Sequence, residues 1–211
     1  MGLETIKQNA VPLSIAAVVG GLLLAKYIIS QQEKKKQNPN DYLSGPCPDV
    51  TQEDIDRIQA TWDHVRKINP KDSGALLFKN IFLEAGEGGA ALAGMWDFSR
   101  DDDFDMNDLD KSQGMRKHGA SVILTAQYAI DRLDDVTRLI PVVKELGARH
   151  NAYGTVSAHY PVVGAALLRT LSMALPAEVW ADPKVQESFK KFWGFTAYYM
   201  LAGQRELDEK S

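Results

Sequence analysis

Cysteine is almost absent. A single residue, Cys47, stands between Pro46 and Pro48, so the chain closes no internal disulfide and builds no thiolate metal site. An excess of one charge sign is missing too. The 28 acidic and 24 basic residues leave a formal net charge of −4 over 211 residues. No basic stripe interleaved with aromatics is present, which excludes a nucleic-acid surface. No run of alternating residues bounded by turns marks a strand, and no internal repeat marks a solenoid or propeller. A chain of this length accommodates one domain of ~150 residues plus an appendage, and such a domain buries a sufficient core without a covalent or metal staple.

The appendage is the first feature that is present. Residues 10–29, "AVPLSIAAVVGGLLLAKYII", are apolar apart from Ser14 and Lys26, and ~20 such residues let a helix cross a bilayer. Pro12 falls in the first turn, where its missing N–H does little harm. Lys26 reaches the interface with its ammonium. Lys34, Lys35 and Lys36 follow the span, against Lys7 before it, so the positive-inside rule keeps the C-terminal side in the cytosol. The expectation is a transmembrane helix of a single-pass protein, with the main domain facing the cytosol and the choice among membranes open. A cleaved signal peptide is the alternative, though no small-residue cleavage site precedes the lysines. Myristoylation of Gly2 lacks its Ser or Thr, since Ile6 stands there. Residues 30–50 are polar and broken by Pro39, Gly45, Pro46 and Pro48, which reads as a tether.

From Thr51 the pattern is helical throughout, so the fold class is all-α over residues 51–206, with a short tail at 207–211. Thr51 and Asp54 predict a capped helix start, and Ile55, Ile58, Trp62 and Val65 trace its apolar face. Asn69-Pro70 closes that helix, and a second begins near Asp72 or Ser73 and runs until "GEGG" at 86–89. The acidic segment from Met95 to Asp110 is a solvated connection that tucks Trp96, Phe98 and Phe104 inward. A helix over 111–133 places His118, Val122, Thr125 and Ala129 on one stripe. The next aligns Leu139, Val143, Leu146 and His150. A helix follows over 158–175, and Asp182 with Pro183 opens the last one.

Two histidines therefore face inward on separate helices. A buried neutral imidazole carries one donor and one acceptor nitrogen, and each left unpaired costs roughly 1–3 kcal/mol. Either both are core histidines satisfied by neighbours, or they serve a ligand. Zinc wants three or four ligands. A flat apolar cofactor fits better, since haem iron takes axial imidazoles on opposite faces and its porphyrin needs aliphatic and aromatic walls.

The blocks "KHGASV" (117–122), "LGARHNAYG" (146–154) and "HYPVVGAALLRTL" (159–171), with "MWDF" (95–98) ahead of them, resemble the globin family across residues 51–206. That resemblance implies a globin fold, helices packed around haem b. His150 matches the proximal iron ligand and His118 the distal histidine, a candidate sixth ligand. Val122 matches the distal valine, and Phe98 the aromatic residue packed on the porphyrin. Phe78 matches a distal-pocket position, and Leu146 and Val156 match the apolar proximal face and ring edge. The 32-residue interval from His118 to His150 is similar to that of neuroglobin-like chains. "HYPVVGAALL" looks like the haem domains of flavohaemoglobins, where a tyrosine matching Tyr160 touches the proximal side. The function implied is reversible binding of oxygen, carbon monoxide or nitric oxide, for oxygen transport or sensing. The rival readings are a nitric oxide dioxygenase or nitrite reductase fed by a separate reductase, and a haem-free helical module at a membrane.

Overall fold

Side-chain caps start most of the helices. The computed structural model describes residues 45–209. The expected span over 10–29 and its lysine flank lie outside these residues. Among the described residues no helix is long and apolar enough to cross a membrane. Every regular element described is helical: α1 (Gln52–Val65), α2 (Pro70–Ala85), α3 (Gly89–Ala93), α4 (Gln113–Ile130), α5 (Val136–Ala152), α6 (His159–Ala174), α7 (Ala177–Trp180) and α8 (Pro183–Asp208). Single 3-10 turns occupy Gly86–Gly88 and Asp97–Arg100.

At α1 the Thr51 hydroxyl accepts from the Asp54 N–H at 3.3 Å, while the Asp54 carboxylate accepts from the Thr51 N–H at 3.1 Å. This is the reciprocal box the sequence predicts. Asp182 likewise accepts from the Lys184 N–H at 2.8 Å and opens α8. One expectation is corrected. Asn69-Pro70 does not merely close α1; Asn69 caps α2 by accepting from the Lys71 N–H at 2.9 Å, and Pro70 is the first residue of that helix. The fixed φ of proline suits the first turn, where its missing donor has no helical partner anyway. α2 stops at Gly86, whose φ of 55° lies in the region that favours glycine.

α5 packs on α8, and α2 packs on both α4 and α6. Ile58, Trp62, Ile130, Leu133, Leu139, Leu171 and Phe189 are almost wholly buried at the centre of the main core, each burial contributing roughly 1.5–3 kcal/mol. A second, aromatic cluster joins Phe78, Phe82, Phe98 and Met115, with Trp96 and Val122 touching both clusters. α1 is tied to α8 by a buried charge. Asp54 is 5% exposed and accepts from the Ser188 hydroxyl at 2.7 Å and the Lys191 ammonium at 2.7 Å. Burial alone would raise its pKa, but these bonds and those from Thr51 overcome that and hold the carboxyl well below the usual range. Pro48 lies against Gly194, so the chain ahead of α1 runs along α8.

Candidate functional site

α5 carries His150 near its C-terminal end, and the helix itself supplies the partner that a half-buried imidazole requires. His150 Nδ1 lies 2.8 Å from the Leu146 carbonyl oxygen, one turn back. A carbonyl only accepts, so Nδ1 must carry the proton, and in the neutral ring Nε2 is left with a free lone pair. Burial, the largest influence, pushes the His150 pKa down, with Arg149 acting the same way and the carbonyl opposing. The neutral form is therefore favoured. The arrangement fixes ring tautomer and orientation as metal-ligating histidines require.

His118 lies on α4, which begins where Ser112 accepts from the Met115 N–H at 3.1 Å. Its stripe sits at a slightly different angle from the expected one. Met115, Gly119, Ile123, Ala129 and Ile130 take the buried face, Val122 is half-buried, and His118 and Thr125, expected to face inward, are instead exposed. The reason is the approach of α2. Gly74 and Gly119 bring the two backbones into contact, so that the core face of α4 turns toward α2. His118 is consequently accessible on one side and crowded by rings on the other. Phe78 lies 5.4 Å away in an edge-on arrangement, Phe98 6.0 Å and Trp96 6.4 Å. Among the described residues its ring makes no hydrogen bond. Desolvation by the rings packed on its covered side pushes its pKa down, with a smaller electrostatic contribution from His150.

An apolar cleft lies between α4, α5, α6 and α8; neither histidine is among the side chains that line it. Val122 and Leu146 line it from opposite helices, together with Val143, Val163, Leu167 and Phe192. Tyr160 is buried at 3% exposure beside Trp193, whose Nε1 donates to the Tyr160 carbonyl at 3.1 Å. Among the described residues its hydroxyl has no hydrogen-bond partner. Burial pushes the phenol pKa far up, so it stays protonated. Of the residues singled out by sequence, Phe78, Phe98 and His118 come together with Val122 beside them, Leu146 and His150 are joined on α5, and Val122 and Leu146 line the same cleft. Val156 is apart: it is 52% exposed, on the corner after α5. Trp96 was expected to tuck inward but not assigned to the site, and Trp193 is new. Trp96 stacks on Phe98 at 5.6 Å and 8°, and its place in "MWDF" was the available signal; Trp193 follows Phe192 on α8 and could have been found only from the crossing.

A flat apolar cofactor with one metal centre fits this donor set. One imidazole presents a neutral nitrogen, a second lies among aromatic rings, the cleft beside them is aliphatic and aromatic, and a buried hydroxyl has no partner among the described residues. Among the described residues no three His, Cys, Asp or Glu side chains gather as a metal cluster.

Comparison with known proteins agrees. Residues 97–200 match the Globin family. The chain is 29% identical over 144 residues to an anaerobic nitrite reductase of Gossypium hirsutum, covering 67% of this chain and 82% of that protein. It is also 29% identical over 101 residues to the flavohemoprotein of Bacillus subtilis (strain 168), covering 48% of this chain but only 24% of that protein.

Proposed function

Starting from a chain that carries a globin-family domain, we propose that it holds haem b in the slot between α4 and α5 and reversibly binds a diatomic gas there. The observation that carries this reading is the 2.8 Å contact from His150 Nδ1 to the Leu146 carbonyl, which leaves Nε2 with a neutral lone pair to offer a metal. When bound, haem supplies an iron with one position for His150 and one for the gas. His150 fixes the cofactor from the proximal side. His118 directs an N–H toward a ligand that has gained negative charge, which favours oxygen over the less polar carbon monoxide. Phe78, Phe98 and Val122 set the room and keep water out, while Leu146 supports the proximal face. Tyr160, protonated and without a partner, donates toward the cofactor's polar edge or a water there. Val156 guards the rim.

In this proposal the apolar run 10–29 anchors the domain to a bilayer, on the cytosolic side. Protease protection of a tagged full chain in vesicles tests it; digestion of the domain only after the vesicles are permeabilised would overturn the cytosolic placement.

The gas-binding reading is tested by the optical spectrum of the purified ferrous protein with and without carbon monoxide. A shifted Soret band that reverts when the gas is removed is expected; a haem-loaded protein indifferent to the gas would defeat it. Similarity to a nitrite reductase favours a second reading, redox turnover driven by a separate reductase. Nitrite consumption by the reduced, haem-loaded protein is then expected to exceed that of free haem, and equal rates would remove the reading.

A further inference from the structure

α5 crosses α8 by backbone contact at two glycines. A Cβ built on Gly147 would stand 1.9 Å from the Met200 carbonyl oxygen, and one on Gly203 would stand 1.9 Å from the Lys144 carbonyl oxygen. The pairs are reciprocal: Lys144 and Gly147 on α5 meet Met200 and Gly203 on α8. Non-bonded carbon contacts settle at roughly 3.5–4.0 Å, so either Cβ must push the helices apart by roughly 1 Å or more. Both obstructing atoms are backbone, so no side-chain rotation relieves the clash.

We propose that this crossing is a positioning device for His150, setting where its Nε2 stands relative to the haem iron; the proposal rests on the haem reading above. Gly147 precedes His150 by three residues, within one turn of the same helix. The imidazole is bonded to Leu146, on α5 itself, so it travels with the helix as a rigid attachment. At 3.6 residues per turn, the crossing face of Lys144 and Gly147 lies roughly a quarter-turn from the slot face of Leu139, Val143, Leu146 and His150. A push at the crossing therefore displaces the imidazole sideways relative to the slot face, and would move Nε2 away from the place where it holds the iron. A ligand geometry held to about 0.5 Å is sensitive to such a shift.

The test compares Gly147→Ala and Gly203→Ala with Gly74→Ala, which creates a comparable backbone clash at the α2–α4 crossing. All are made in a His118→Leu background, so that the ferrous iron keeps a single axial imidazole. Resonance Raman spectroscopy then reads the iron–imidazole stretch. The band is expected to move to lower frequency in Gly147→Ala, to move less in Gly203→Ala, and to stay in place in Gly74→Ala. Haem is expected to leave Gly147→Ala about 10-fold faster. In a His150→Gly chain supplied with free imidazole, Gly147→Ala should no longer move the band, because the ligand is detached from α5. Equal band shifts in all three variants, no shift in Gly147→Ala, or loss of helical circular dichroism in both α5–α8 variants would assign the crossing to folding alone and overturn the proposal. A background chain that takes up no haem would instead remove the haem reading itself.

Discussion

The two sides of the slot hold their histidines by opposite means. His150 is fixed by a hydrogen bond to its own helix, and that helix is locked on α8 by backbone contact. His118 has no hydrogen bond among the described residues and is placed only by the flat sides and edges of Phe78, Trp96 and Phe98. Ring packing leaves a side chain free to change rotamer, whereas a bonded tautomer on a locked helix is rigid. One ring is held rigidly and the other is free to reorient.

Removing the rigidly held ring has the largest expected effect. His150→Ala should lower haem affinity by at least about 100-fold, read by haem transfer to an acceptor protein; retention with an unchanged spectrum would place the metal on another residue. Removing the other ring should leave haem bound. His118→Leu is expected to weaken oxygen affinity by about 10-fold, the worth of one charge-assisted hydrogen bond, and to abolish any six-coordinate spectrum. An affinity unchanged within error would mean that the aromatic clutch does not direct the ring at the gas.

A third substitution separates the slot from the frame. Asp54→Asn should cost about 2 kcal/mol, lowering the melting temperature by roughly 4–8 °C while leaving the visible spectrum as it was. Its pH dependence has a definite sign. The carboxyl is depressed below its ordinary value of 3.8, so its stabilisation is complete above that value and drains as pH falls through the folded-state pKa. The stability gap between wild type and variant should therefore narrow below about pH 4; a gap that widens in acid contradicts the assignment. The smallest effect is expected at the rim. Val156→Ala, at an exposed corner position, should change stability by less than about 0.5 kcal/mol, and a larger loss of bound haem would draw the corner into the slot.

The rigidly held ring was legible in the sequence because periodicity alone aligns Leu139, Val143, Leu146 and His150, and hydrogen-bond accounting alone demands a partner for the imidazole. The partner itself was not, since any carbonyl or hydroxyl would have satisfied it. Helix starts at Thr51 and Asp182 were readable from local side-chain chemistry. The start at Pro70 was misjudged because Asn-Pro ends one helix and opens another with the same residues. The angle of α4 could not be read, because it depends on Gly74 meeting Gly119, a contact between segments 45 residues apart in sequence. Trp193 was hidden for the same reason: its role follows from how α8 crosses α6, which no local pattern records.

The central claim is that this slot accepts one iron porphyrin through His150. Titration of haemin into the purified chain, followed in the Soret region, tests it most directly. A sharp end point at one haem per chain, lost in His150→Ala, is the predicted result. A featureless titration indistinguishable from haemin in buffer, or an end point untouched by that substitution, would contradict it.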